Sequence, residues 1–242
     1  MDGVDAIVLA GGLGTRLRSV VGDTPKILAP VDGRPFLDIL LAFLADLGVS
    51  RAILSLGFRA DAVIRHLEGK SAALPLPVET VVEPEPRGTA GGVRLAARHG
   101  STDPILVLNG DTWVEADYRG FLASHRRRGR PCSILCAKVG DARAYGRIEI
   151  GGDGVITRFS EKNPEITGAA IVSAGIYLFS PAALALLEST PGPSLETDFF
   201  GRQAPGWAHG YVDESLSFID IGTPSGLAAA SARLAQDNRR GG

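Results

Sequence analysis

DAIVLAGGLGTRLRSVVGDTPK, residues 5–26, runs from a short apolar segment into four glycines, two arginines and a lysine. After Asp5, the five residues Ala6–Ala10 are apolar and closed by glycine, which predicts a buried strand over 5–10. Gly11, Gly12 and Gly14 follow, free to adopt positive φ and to bring backbone N–H groups close to an anion. Gly11, Gly12, Gly14 and Thr15 therefore read as a phosphate cradle, with Leu9 and Ala10 before them as further nucleotide-binding positions, at the carboxyl edge of a sheet, where open α/β folds bind their ligands. A dinucleotide fingerprint needs a third glycine and an apolar helix start, but Arg16 and Arg18 stand where that helix should pack. A Walker-type loop needs Gly-Lys-Ser/Thr, and the stretch lacks it. Charge at Arg16 and Lys26 points to a free polyphosphate.

Outward from that loop the chain alternates. FLDILLAFLADLG (36–48) carries apolar residues at helical spacing and a closing glycine, and RAILSLG (51–57) is strand-like. Helix 59–69, strand 78–82, helix 88–100 and strand 104–111 continue the series, which predicts right-handed βαβ units and a largely parallel, buried sheet. Beyond residue 131, CSILCAKV, GRIEIGGDGVITRFSEK and AAIVSAGIYLFS read as strands joined by turns, with a hairpin at GGDG. LSFIDIG (216–222) is a last strand, and 225–236 a last helix before a frayed DNRRGG tail. One domain is expected over 1–242, with a nucleotide-side half (1–130) and a substrate-side half (131–242).

Composition narrows the partners. The chain has 242 residues, 45% of them hydrophobic, and a formal charge of −2, so bulk attraction gives no nucleic-acid or anionic-membrane partner. Phosphate recognition must be local; the basic HRRRGR (125–130) reads as a solvated face behind a helix. Cys132 and Cys136 fall on one face of a strand about 13 Å apart, beyond disulfide reach, and read as core thiols of a reducing compartment. No segment approaches the roughly 18 apolar residues of a membrane span and no signal-type start is present, so a cytoplasmic location is expected. His66, His99, His125 and His209 have no metal-like spacing.

LAGGLGTRL followed by TPK, then EPRGTAGG, LNGD and FIDIGTP, resembles the nucleotidyltransferases that join a sugar 1-phosphate to a nucleoside triphosphate and release pyrophosphate. The resemblance covers nearly the whole chain. It implies a Rossmann-like three-layer α/β/α fold of the GT-A-like type, with a mostly parallel central mixed sheet. GTRLRSVVGDTPK, GRPFLD and FIDIGTP are similar in particular to the D-glycero-α-D-manno-heptose 1-phosphate guanylyltransferases. The family's catalytic positions correspond to Arg16, Lys26, Asp111 and Asp220. Asp111 and Asp220, each read as ending a strand, are hard oxygen donors of the kind Mg²⁺ prefers, and the resemblance implies that they converge to hold it. No repeats follow the final helix, so any oligomer is expected to be built from this domain, a homodimer being the option left open.

For the base, Glu83, Gly88 and Thr89 open a helix. A carboxylate accepts only, which suits the adjacent N1–H and N2–H₂ donors of guanine; uracil and thymine alternate donor and acceptor and suit an amide better. The expected nucleotide is GTP, with UTP or dTTP the alternative. For the sugar phosphate the resemblance marks Asn109, Tyr145, Gly146, Glu161, Lys162, Gly175 and Glu196. Relatives commonly carry asparagine where Ser173 stands, so direct sugar contact there is open to question. Two other classes fit the glycine turn less well. A dinucleotide oxidoreductase lacks its fingerprint, and a silent sugar-nucleotide sensor has no need of Arg16, Lys26, Asp111 and Asp220 together.

Overall fold

Alternate residues of the first strand are buried in different clusters: Ala6 and Val8 in one, Ile7 in the other. That is the two-residue period of a strand covered on both faces, and it sets the layering of the whole protein. The computed structural model describes residues 1–143, 145–160, 165 and 167–240, with side chains of the final helix described to residue 234.

The elements in order are β1 (Val4–Ala10), α1 (Arg18–Val21), β2 (Pro30–Val31), β3 (Arg34–Pro35), α2 (Phe36–Asp46), β4 (Val49–Leu56), α3 (Ala60–Glu68), β5 (Val78–Val82), α4 (Gly88–Ala97), β6 (Ile105–Asn109) and β7 (Thr112–Glu115). They continue with α5 (Tyr118–Arg128), β8 (Cys132–Val139), β9 (Arg147–Ile150), β10 (Ile156–Ser160), β11 (Ala170–Phe179), α6 (Pro181–Ser189), β12 (Ala208–Val212), β13 (Ser217–Asp220) and α7 (Pro224–Arg240). The main sheet runs β5-β4-β1-β6-β11, parallel as far as β6, with β11 antiparallel to β6. β8 pairs antiparallel with β11 and parallel with β12, while the β9–β10 hairpin joins the N-terminal part of β11. This is a Rossmann-like α/β/α fold with a mixed central sheet.

One face is covered by α2, α3, α5 and α7, which bury Phe36, Leu40, Leu44, Val63, Phe121 and Leu227. The other is covered by α4, α6 and the 195–200 segment, whose Phe199 and Phe200 pack with Tyr177, Phe179 and Trp207 in one aromatic cluster. Among the described residues no helix is long and apolar enough to cross a membrane. Cys132 and Cys136 are free, buried thiols, and burial pushes both above the ordinary thiol range.

The expected elements and the observed ones differ where glycine or an edge intervenes. Segment 104–111 is not one strand: β6 stops at Asn109, and Asp111 lies in the link to β7. The cause is Gly110, whose N–H bonds the Leu9 carbonyl at 2.8 Å and where a Cβ would stand 2.7 Å from that oxygen. Asp111 thus follows a crossing over the end of β1 rather than ending a strand.

His209, on β12, is 4% exposed, its ring lies against Gly154, and among the described residues its Nδ1 has no hydrogen-bond partner. Burial foremost, then the positive charge of Arg128 and its neighbours, lowers its pKa from 6.5 to about 4. The fold therefore holds this histidine neutral while an unfolded chain takes up a proton below pH 6.5. Its stabilising effect is complete above that pH and is lost as pH falls towards 4. Replacing it, as in His209→Gln, should remove roughly 1–2 kcal/mol of the stability that the parent loses between pH 7 and pH 5. Urea unfolding of both proteins at the two pH values measures this.

Candidate active site

The carboxyl ends of β1, β4, β5 and β6 lie side by side, and the loops that leave them form the site's floor. Gly57, after β4, comes so close to the first loop that a Cβ there would stand 2.6 Å from the Gly11 carbonyl. Gly14 has φ of 64° and rests on the Lys26 side chain. Bare backbone is thus required twice: by chain crossing chain, and by a left-handed turn.

Beyond Gly14, Thr15–Leu17 form a 3₁₀ turn whose Leu17 is fully buried, anchoring the loop in the core. The two arginines then separate in role. Arg18 places its guanidinium over the Phe58 ring, 5.2 Å from the centroid. Arg16 extends outward, its side chain 62% exposed, to an ion pair of 3.7 Å with Asp220. Lys26 is the sheltered cation, 16% exposed, with Nζ donating to Asp111 Oδ2 at 2.9 Å.

Asp111 and Asp220, over a hundred residues apart in sequence, meet because β7 and β13 form an antiparallel ribbon that pairs Thr112 with Asp220. The Ile221 N–H bonds the Asp111 carbonyl at 2.9 Å and seals the end of the ribbon. A Cβ on Gly222 would stand 2.9 Å from Lys26 Nζ, 2.8 Å from Asp220 Oδ1 and 3.3 Å from Asp111 Oδ2. One lysine and two carboxylates therefore face one small volume, with Arg16 at its rim. Among the described residues no group of three or more His, Cys, Asp or Glu side chains is suited to a metal.

Next to this cluster opens a cavity of about 320 Å³. Eight of the residues singled out in the sequence line it: Leu9, Gly11, Gly12, Glu83, Gly88, Thr89, Asn109 and Asp111. Glu83 stands just past β5, its N–H bonded to the Leu56 carbonyl at 2.7 Å. Its Oε2 accepts from the Arg87 N–H at 3.1 Å and its Oε1 from Ser55 Oγ at 2.9 Å.

Two sequence residues have structural duties that the sequence did not disclose. Gly88 (φ 67°) is crowded by the Pro193 carbonyl and by Pro193 Cβ, so glycine is demanded there by another part of the chain rather than by a flat ring alone. Thr89 Oγ1 accepts from the Leu195 N–H at 2.9 Å, and the Ala90 N–H donates to the Pro193 carbonyl at 2.8 Å. Together these bonds tie the start of α4 to the segment that carries Glu196. Arg94 fastens the same segment, with guanidinium bonds to the carbonyls of Leu187, Thr190 and Gly192.

On the other wall Gly175 has φ of 75° inside a bulge of β11 and lies against the Asn109 amide, where a Cβ would be 2.5 Å from Nδ2. Ser173 Oγ accepts from the Gly175 N–H at 3.1 Å and donates to the Tyr177 hydroxyl at 3.3 Å. Its hydroxyl is engaged in shaping that bulge. Tyr145 meets Phe218 edge-on with centroids 5.3 Å apart, which sets it on the β13 side of the two aspartates. Burial first and the Asp220 charge second raise its phenol pKa. Gly146 is buried against the Phe159 ring, and Glu196 is half-buried in a single π turn, Leu195–Phe199, capped by Ser194. Glu161 and Lys162 lie outside the described residues.

Comparison with known proteins completes this picture. The family described as Nucleotidyl transferase matches residues 5–237. The chain belongs to that family. As a nucleotidyl transferase it is 35% identical over 234 residues to a mannose-1-phosphate guanylyltransferase of Mycobacterium tuberculosis, covering 96% of this chain and 64% of the relative. It thus spans less than two thirds of that relative's length. A D-glycero-alpha-D-manno-heptose 1-phosphate guanylyltransferase of Aneurinibacillus thermoaerophilus is 28% identical, covering 96% of this chain and 98% of the relative. The crystal structure of HddC from Yersinia pseudotuberculosis superposes with a TM-score of 0.82 at 34% identity, covering 96% of this nucleotidyl transferase and 99% of HddC. A second HddC structure, complexed with GMP-PN, gives 0.81.

Proposed function

We propose that this nucleotidyl transferase moves a guanylyl group from GTP to a sugar 1-phosphate, with D-glycero-α-D-manno-heptose 1-phosphate as acceptor. The observation that carries the reading is the pairing of Lys26 with Asp111 and of Arg16 with Asp220 at the mouth of a glycine-lined cavity. Two polyanions meeting in line need charge neutralisation and alignment, and little else. A sugar phosphate oxygen, ionised at neutral pH, attacks the α-phosphorus. The bond from that phosphorus to the β-bridging oxygen breaks, and its electron pair departs with pyrophosphate. No proton has to move, which agrees with a site built from cations and backbone.

In this reading the N–H groups from Gly11 to Thr15 hold the triphosphate, Arg16 takes the departing β,γ-phosphates, and Lys26 neutralises the phosphates at the reacting centre. Asp111 and Asp220 form a donor set that fits Mg²⁺, which binds through one or two carboxylates and completes its shell with phosphates and water. When bound, Mg²⁺ supplies further positive charge to the phosphate oxygens. Asn109, Tyr145, Gly146, Gly175 and Glu196 face the sugar phosphate, with Glu161 and Lys162 assigned there by the family resemblance. The nucleotide half is 1–130 and the acceptor half 131–242. Free thiols at Cys132 and Cys136 suit a cytoplasmic setting.

Glu83 selects the base. Both of its oxygens already accept from donors, Ser55 Oγ and the Arg87 N–H, so the group offers the cavity only further acceptor capacity. That complements the donor edge of guanine. Mannose 1-phosphate is the second acceptor to consider, favoured by the identity to the mannose relative.

A grid of four nucleoside triphosphates against heptose, mannose and glucose 1-phosphates, scored by pyrophosphate, tests both assignments. GTP with the heptose phosphate should give the fastest turnover, and equal rates with UTP or dTTP would remove the guanine reading. Glu83→Gln should raise the KM for GTP about tenfold and narrow the preference for GTP over UTP.

A further inference from the structure

Ser55 lies in an apolar strand between Leu54 and Leu56, is fully buried, and has a hydroxyl that packing alone does not require. Its register partners are Leu9 on β1 and Val81 on β5, so it sits inside the sheet under α4. A buried hydroxyl without a partner costs stability, and this one donates to Glu83 Oε1 at 2.9 Å. The surrounding chain is cut away to admit the pair. A Cβ on Gly92 of α4 would stand 2.9 Å from Ser55 Oγ and 3.1 Å from Glu83 Oε1, and one on Gly11 would stand 2.7 Å from Glu83 Oε1. Glycine in the interior of a helix is unfavourable by about 1 kcal/mol relative to alanine, so Gly92 is retained against local preference.

We propose that Ser55 is a positioning residue for base selection: with Gly92 and Gly11 it fixes the Glu83 carboxylate in one rotamer at the cavity wall. The bond holds the carboxylate plane, so that both oxygens can be offered together to two adjacent donors on a base. The second contact, from the Arg87 N–H, opposes an amide at position 83. The Arg87 N–H cannot turn to accept, so a glutamine oxygen would have to face it, leaving the amide nitrogen to the serine and breaking the two-acceptor pattern. The ligand chemistry implied is a purine with a ring N–H and an adjacent exocyclic amine.

This inference rests on the reading of Glu83 as the base-selecting group, and the experiment separates the two. GTP and ITP differ by the 2-amino group alone, so the ratio of their kcat/KM values reads the contact to that amine. The ratio is measured for the parent, Ser55→Ala and Glu83→Gln, together with thermal stability and the KM for the sugar 1-phosphate. Ser55→Ala should lower the GTP:ITP ratio roughly tenfold through the nucleotide KM, with the sugar phosphate KM unmoved. A purely structural serine would lower the melting temperature and leave the ratio where it was. If Glu83→Gln collapses the ratio and Ser55→Ala does not, the positioning role is wrong while the reading of Glu83 stands. If neither variant moves the ratio, the reading of Glu83 fails and this inference with it.

Discussion

Lys26→Met should slow pyrophosphate release by about 10²–10³-fold at saturating substrates, while leaving the fold intact. Methionine keeps the unbranched stem that packs on Gly14 and removes only the charge. The size of the effect follows from shelter. Lys26 is 16% exposed and its ammonium is held by Asp111, so its charge acts where water screens it poorly. Arg16 carries the same charge but its side chain is 62% exposed and its contact to Asp220 is 3.7 Å. Arg16→Met should therefore cost less in kcat and show its effect more in the KM for the nucleotide and in sensitivity to salt. Steady-state kinetics at two ionic strengths, scored by pyrophosphate, measures both variants. Equal losses in kcat from the two substitutions would contradict the division of labour between a sheltered and an exposed cation.

The parts of this site that were legible in the sequence are those whose cause is local. The strand at 5–10 could be read because five consecutive apolar residues, Ala6–Ala10, need two covered faces, and the glycine loop because positive φ and close approach leave a compositional trace. Gly14 has the left-handed φ its place after the strand suggested. Asp111 was visible as a carboxylate near a strand end, but its offset into a link was not, because that offset comes from Gly110 crossing the Leu9 carbonyl about a hundred residues away. The Thr89–Leu195 bond spans 106 positions and the Asp111–Asp220 ribbon a similar distance; periodicity carries no information about either. β12 was missed for a related reason: AHGYV has a glycine in its middle and gains its register from β8, so little in its own pattern marks a strand. α6 was not among the expected elements either, although Ser180 followed by Pro181 at its first position is a helix-start signal. Ser55 is the instructive case for function. It reads as a small residue in a core strand, and its partner Glu83 is 28 positions on.

The same geometry gives Asp111 an expected signature that ordinary loss of activity would not show. The cations that the proposed mechanism assigns to phosphate are paired with the carboxylates it assigns to metal, Lys26 with Asp111 and Arg16 with Asp220. A nucleotide that arrives without a divalent cation must draw Lys26 away from Asp111 and bring its phosphates beside an uncompensated carboxylate. Asp111→Asn removes that negative charge, keeps the side chain's shape and leaves Lys26 free. Turnover should fall by about 10³-fold or more, since the chemistry loses a hard anionic donor where charge is concentrated. Binding of GTP in the presence of a chelator should nevertheless tighten, by up to about fivefold given that the pair is partly exposed. Asp220→Asn should show the same opposition more weakly, because its cation is the exposed Arg16. Calorimetric titration with GTP, with and without Mg²⁺, resolves the two effects. In the parent, Mg²⁺ and GTP should each strengthen the binding of the other, and in Asp111→Asn that mutual strengthening should shrink. An asparagine variant that lost nucleotide affinity under chelation would show that Asp111 supports the cavity rather than opposing the free polyphosphate. The paired charges would then be scaffold alone.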